Sequence, residues 1–191
     1  MLVDAQIVLR TSRLLLRPFR EDDTDRLGLL AADRRIADTM VSFRHPYSSD
    51  RARDDIGRFR RDWEEGKGAH FAIALANTPL EFRGYFALKG IDGEHSVAEI
   101  SFWIDEQATG KGYVREAGRE ILRFAFENLR LNRICAYHMV RNPASAKVLA
   151  GLGLRQEGVL REKVRKCGVF EDVVVSAILA REWNEDNSMD K

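Results

Sequence analysis

Cysteine is scarce in this chain, long apolar runs are absent, and neither sign of charge predominates. Among 191 residues there are two cysteines, Cys135 and Cys167, too few for a disulfide framework or a cysteine-rich metal cluster. A reducing, cytoplasmic setting is the natural expectation. No stretch approaches the roughly 20 apolar residues that cross a bilayer, so no membrane partner is expected. The opening MLVDAQIVLR carries an acid at Asp4 and no long apolar core, and does not read as a secretory leader. Lysine and arginine total 31 against 30 for aspartate and glutamate, and the signs are interspersed, which argues against nucleic acid as a partner. His45, His70, His95 and His138 lie without ligand spacing, so no metal is expected.

What is present suits a folded domain. Apolar residues make up 45% and charged residues 32%, outside the range of disordered chains. The length fits one domain over 1–191, with the last few residues as a mobile tail. Arg13-Leu14-Leu15-Leu16-Arg17 reads as a short strand stopped by Pro18, and 21–32 as a helix that opens on acids. Ser49 or Asp50 is expected to cap a helix running to about Glu65, with Ile56, Phe59 and Trp63 on one stripe. Residues 70–75 and 85–88 read as paired strands joined through Asn77-Thr78-Pro79, and 97–104 as a third strand. A helix over 113–129, a strand over 134–140, a short helix through Leu152 and two strands over 156–165 and 170–179 complete the order. The expected class is α/β: a mixed, mostly antiparallel sheet with one parallel pair in the middle.

The stretch AEISFWIDEQATGKGYVRE, residues 98–116, carries most of the functional information. An apolar strand enters a loop with Gly110-Lys111-Gly112, and an amphipathic helix and a second apolar strand follow. Such a crossover puts the loop at the carboxyl end of a strand, where open α/β sheets bind ligands. Helix-start amides attract phosphate and glycines let it approach, so a phosphate-bearing cofactor is expected. A Walker loop is excluded because Gly112 follows Lys111 and Asp105 stands where the first glycine belongs. A dinucleotide fingerprint is weak, because Arg115 occupies its third glycine position and Arg141-Asn142 stands where a ribose-binding acid belongs.

The third class is a pyrophosphate loop of an acetyltransferase. Over nearly its whole length the sequence resembles the GNAT superfamily, and within it the RimJ/RimL-type N-acetyltransferases of ribosomal proteins. The resemblance is carried by Thr11-x-Arg13-Leu14-x-Leu16-Arg17-Pro18, Ala98-Glu99-Ile100-x-x-Trp103-Ile104, Gly110-Lys111-Gly112-Tyr113, Glu116-Ala117 and Phe124-Ala125-Phe126. It continues through Leu131-Asn132-Arg133-Ile134, Asn142-x-Ala144-Ser145, Val148-Leu149-x-x-Leu152-Gly153, Glu157-Gly158-x-Leu160-Arg161 and Glu182-Trp183. Thr109, Val114 and Leu154 depart from the family pattern, and Leu149 stands where many members have a tyrosine that protonates the leaving thiolate.

The resemblance implies a GNAT fold whose central parallel pair splays, with helices on both faces. It implies acetyl-CoA as donor, coenzyme A as product, and direct transfer to a primary amine, either a protein N-terminus or a small amine. The pantetheine arm would pair with the backbone of Phe102, Trp103 and Ile104, as an added strand does. The pyrophosphate would rest on Thr109, Gly110, Lys111, Gly112, Tyr113, Val114 and Arg115, with Lys111 and Arg115 adding charge. Glu99, an acid in a central strand, is either a general base raised toward neutrality by burial or the partner of a neighbouring arginine. Ser145 is either the proton donor to the coenzyme sulfur or a helix cap, and Asn142 either holds the pantetheine amide or caps the same helix. Trp63 and the basic residues 58–61 read as core and solvated face. The acceptor pocket falls to the least patterned segments, 34–66 and 160–172, and both monomer and homodimer fit. A rival reading keeps the fold as a coenzyme-binding module without turnover, motivated by Leu149 and Val114.

Overall fold

A computed structural model describes residues 7–41 and 46–183. His45 and the expected tail, 184–191, lie outside the described residues. One eight-stranded sheet forms in the order β1-β2-β3-β4-β5-β6-β8-β7. The strands are β1 (Leu9–Arg10), β2 (Leu14–Pro18), β3 (Gly68–Leu75), β4 (Thr78–Asp92), β5 (Val97–Ile104), β6 (Arg133–Met139), β7 (Arg155–Lys166) and β8 (Val169–Leu179). Every neighbouring pair is antiparallel except β5 with β6, which are parallel. The expected class, with its single central parallel pair, is what the chain adopts.

Each face of the sheet carries its own core. On one side α4 (Tyr113–Arg123), extended by a π-helical turn at Phe124–Asn128, and α5 (Pro143–Gly151) cover Leu14, Leu16, Phe71, Phe86 and Ile100. On the other, α1 (Thr24–Ala31), α2 (Arg34–Thr39) and α3 (Ser49–Glu64) cover Leu15, Ala72, Tyr85, Ala87 and Trp103. The alternation follows from the two-residue period of a strand, and the unbroken Leu14-Leu15-Leu16 run is a strand buried on both faces. In α3 the stripe Ala52, Ile56, Phe59 and Trp63 repeats at helical spacing and is buried throughout.

Several boundaries differ from the sequence reading, each for a local reason. Ser48 caps α3, accepting from the Arg51 amide at 3.2 Å, so the cap lies one residue before Ser49. The β3–β4 turn is tighter than expected, because Thr78 already pairs with Leu75 and β4 runs 15 residues. Two short elements, β1 and α2, carried too little periodicity to be expected. Arg17 is 2% exposed, and its guanidinium forms a bidentate pair with Asp23 at 2.7 and 2.9 Å. The carbonyls of Pro18, Pro79 and Leu80 take further Arg17 N–H groups, which ties α1 and the start of β4 to β2.

Removing one partner of a buried pair strands the other charge. Asp23→Ala is expected to cost about 3–5 kcal/mol and to lower Tm by about 10 °C, read by chemical and thermal denaturation. The double variant Arg17→Met/Asp23→Leu should recover most of the loss. A cost under about 1 kcal/mol for Asp23→Ala would show that the pair does not hold this corner.

Candidate active site

The parallel pair begins with four rungs: Val97 with Arg133, Ala98 with Ile134, Glu99 with Cys135, and Ile100 with Ala136. There it ends. Beyond Ile100, β5 stays with β4, from Ser101 opposite Ala87 to Ile104 opposite Gly84. Beyond Ala136, β6 stays with β8, from Tyr137 opposite Val175 to Met139 opposite Val173. Aromatic stacking pins β5 outward: Phe102 on Phe86 with ring centres 5.3 Å apart, and Trp103 on Tyr85 at 6.2 Å. A strand edge without a partner presents backbone donors and acceptors to whatever enters the gap.

At the carboxyl end of β5 the chain turns through Glu106–Ala108 into the loop that starts α4. Gly110 and Gly112 both have φ of 77°, a left-handed conformation that glycine adopts without steric cost. Gly112 is the cap residue of α4, and no side chain caps that helix. The first bond across the cap is Glu116 N–H to Gly112 carbonyl at 3.0 Å, so the amides of Tyr113, Val114 and Arg115 have no acceptor within the helix. Their N–H groups form a cradle for anionic oxygen at the positive end of the helix dipole. Glu116 anchors the cradle: it accepts from the Thr11 hydroxyl, from the Arg13 amide at 3.0 Å and from Arg13 Nε at 2.6 Å. Arg13 Nη1 also donates to the Lys111 carbonyl at 3.1 Å.

The gap opens into a cavity of about 350 Å³. Ser145 and Leu149 of α5 line it on one face of the sheet, Glu99, Lys89 and residues 39–41 on the other, with Ile100, Phe102 and Ala136 between them. It therefore passes through the sheet, with the amide cradle at the head of the neighbouring helix. A sheet that parts over a phosphate-binding loop, built on these sequence blocks, matches a family model described as "Acetyltransferase (GNAT) domain" over residues 13–155. The chain belongs to the GNAT acetyltransferase family. The RimJ/RimL-like character read in the sequence holds, and the chain is an N-acetyltransferase. YjcK of Bacillus subtilis (strain 168), named a probable N-acetyltransferase, is 31% identical over 175 residues, 90% of this chain and 97% of that one. The [ribosomal protein uS5]-alanine N-acetyltransferase of Escherichia coli (strain K12) is 25% identical, covering 93% of each chain. The crystal structure of spermidine N-acetyltransferase from Vibrio cholerae, in complex with CoA and spermine, superposes with a TM-score of 0.80 at 25% identity, over 91% of this chain and 99% of that one.

Against this GNAT frame the expected residues sort themselves. Phe102 and Ile104 point to the α4 face, whereas the Trp103 side chain points to the opposite face, so all three meet the gap through their backbone. Val114 is buried in the core and only its amide belongs to the loop, so the departure there is a packing choice. Thr109 turns its hydroxyl back to the Asp105 carbonyl at 3.2 Å. Tyr113 packs at the core edge beneath the Arg13 guanidinium, 4.8 Å from its ring centre. Arg115 does not reach toward the loop: its Nε caps α5 through the Gly151 carbonyl at 2.8 Å. Lys111 is exposed on the loop.

Glu99 is not buried as expected; its side chain is 35% exposed, and its partner is Lys89 on the adjacent strand, at 2.8 Å, instead of an arginine. Oε2 of Glu99 has no partner among the described residues. Asn142 caps α5, its Oδ1 accepting from the Ser145 amide at 3.1 Å and its Nδ2 donating to Ser145 Oγ at 2.9 Å. Because Oγ accepts there, the Ser145 hydroxyl hydrogen is left to point elsewhere. His138 is buried and lines neither cavity, its Nδ1 lacking a partner among the described residues.

A second cavity of about 340 Å³ adjoins the first, sharing Met40, Lys89 and Ser101, and is walled by Tyr47, Arg51, Asp55, Arg58, Phe59, Tyr85 and Trp103. The sequence reading placed Arg58 on a solvated face and did not single out Lys89, Ser101 or Tyr85. The two-residue period of β5 does set Glu99, Ser101 and Trp103 on one face, but Lys89 and Tyr85 join them only through a register that no local pattern specifies. Lys163, exposed at the edge of the first cavity, follows Glu162, whose φ is 50°, in the irregular stretch of β7 between Leu160 and Val164.

Behind the second cavity His70 joins Tyr85 Oη (2.9 Å, through Nδ1) to Asp62 (2.8 Å, through Nε2), with its ring stacked on Phe59 at 4.2 Å. Burial pulls the His70 imidazole below its ordinary value and outweighs the attraction of Asp62. Burial also raises Tyr85, so the phenol is neutral. A neutral ring that donates from Nε2 to Asp62 and accepts at Nδ1 from Tyr85 satisfies all three groups.

A histidine with a depressed folded pKa takes up its proton later than the unfolded chain does, so acid favours unfolding. Wild-type unfolding free energy, compared with that of His70→Gln by denaturant titration, should fall faster as pH drops below about 6.5, by up to about 1.4 kcal/mol per pH unit. Above that pH the difference between the two should be constant. Parallel curves from pH 7 to 5 would mean that His70 does not resist protonation.

Proposed function

We propose that this GNAT enzyme moves acetyl from acetyl-coenzyme A directly to a primary amine, with no acyl-enzyme. The observation that carries the reading is the cavity through the sheet, which brings Glu99 and Ser145 to one space from opposite faces. The residues present fit the donor. The open edge that residues 101–104 turn toward β6 suits an amide-bearing arm, and the α4 amide cradle suits a pyrophosphate. Bound there, acetyl-coenzyme A supplies the activated thioester carbonyl.

The remaining chemistry belongs to the chain. Oε2 of Glu99 accepts the proton that the amine loses as it attacks, directly or through one water, while Lys89 holds Oε1 in place. The Ser145 hydroxyl, oriented by Asn142, donates to the departing sulfur, the task that a tyrosine at Leu149 would otherwise perform. The second cavity receives the body of the amine and brings its nitrogen past Ser101 toward Glu99. A protein N-terminus and a small amine both satisfy this arrangement. Relatives bearing names for each, the uS5-alanine and spermidine enzymes, support that range.

Isothermal titration with acetyl-coenzyme A should give a saturable heat, and thiol release should follow on adding amines. Glu99→Gln is expected to lower kcat about 100-fold and remove the acidic limb of the pH–rate profile, with coenzyme affinity unchanged. Ser145→Ala should lower kcat by about 100-fold, again without loss of binding. An unchanged pH profile removes Glu99 as base, and a wild-type rate returns Ser145 to capping alone. Saturable coenzyme binding with no thiol release for any amine would make the chain a binding module.

A further inference from the structure

The charges around the second cavity are matched, with one exception. Asp55 accepts from Tyr47 Oη at 2.7 Å and from Arg58 at 2.7 Å, and Arg58 reaches Asp62 at 3.4 Å. Lys89 is engaged by Glu99. Arg51 alone, on the first turn of α3, has no carboxylate partner among the described residues. Its guanidinium lies over the Tyr47 ring, 5.3 Å from the centre. On the same cavity Trp103, 5% exposed, has an indole N–H with no acceptor among the described residues. The donors without partners thus outnumber the acceptors here. The one carboxylate oxygen left over, Oε2 of Glu99, sits at the reaction end.

A ligand completes such a pocket by supplying what is missing. A polyamine finds no free carboxylate beside Arg51, because both anchors of Asp55 are cationic or hydroxyl donors. An anionic oxygen at that end is matched by Arg51, while Leu27, Met40 and Phe59 accept an apolar middle. Resting on the acetyl-transfer reading above, we infer that the acceptor is an amine that also carries a carboxylate, with the nitrogen toward Glu99 and the carboxylate on Arg51. An amino acid whose amine and carboxylate stand several carbons apart (an ω-amino acid) and an acidic residue near a peptide N-terminus share that chemistry.

Matched pairs test the inference. Free ω-amino acids are compared with their amides, and C-terminally amidated peptides with Asp or Glu at position two with their Asn or Gln counterparts. Thiol release gives kcat/KM, and titration of the coenzyme A-saturated protein gives affinity without turnover. The carboxylate member of at least one pair type should be favoured by about 10- to 100-fold, chiefly in KM. The advantage should fall to near unity in Arg51→Gln, with coenzyme affinity and thermal unfolding as in the wild type. The free-acid arm winning identifies a small-molecule acceptor, and the peptide arm a protein N-terminus. Equal use of both members of every pair, or an Arg51→Gln variant that loses equally on both, overturns the inference. Carboxylate-selective binding with no acetyl transfer upholds it while removing the activity on which it rests.

Discussion

Four rungs of parallel pairing, ending at Ile100 and Ala136, set where every functional group in this chain stands. Past that point each strand keeps only its outer neighbour, and the sheet that elsewhere separates two cores becomes permeable. Backbone groups that a sheet normally consumes are left for a ligand, and side chains from opposite faces share one cavity. Residues that lie on different elements and on different sides of the sheet, such as Glu99 on β5 and Ser145 on α5, are brought together only because the strands part. The stacked pairs Phe86–Phe102 and Tyr85–Trp103 resist closing the gap, since zipping β5 onto β6 would pull both rings off their partners.

The rest of the architecture supports that opening from its two ends. At the loop end, Glu116 gathers Thr11 and Arg13 and so fixes the first turn of α4 against the first strands. At the other wall, the end of α2 is tied across the gap: the Asp38 carbonyl accepts from Arg141 at 2.9 Å and the Ala37 carbonyl from Lys166 at 3.1 Å. Cationic side chains on the last carbonyls of a short helix are favourable there and give it an orientation that its own six residues do not secure. Residues 39–41, which follow, form the cavity wall facing α5.

What the sequence disclosed is what local physics encodes. The limits of β5 were read to the residue, because an apolar run between a Gly turn and an Asp-led loop has little freedom in its ends. The loop glycines, the α4 stripe and the order of elements followed from period and turn chemistry. Glu99 and Ser145 were identified by type and position, and the structure sets them in the same cavity. Long-range register was not legible. The Lys89 partner of Glu99 and the Asp62–His70–Tyr85 chain depend on elements that meet only after folding, and although Arg51, Asp55 and Arg58 share one face of α3, the cavity they wall is closed by other elements. The Arg115 side chain was assigned to the loop by proximity in sequence, whereas helical geometry swings it to the end of α5.

Amide hydrogen–deuterium exchange with and without coenzyme A tests the open gap most directly. The alternate amides of residues 101–104 that face the gap, and those of 110–115, should gain protection on binding, because these N–H groups pass from water to the ligand's oxygens. Saturable coenzyme binding that leaves both segments exchanging as in the free protein would contradict the parted strands as the binding element.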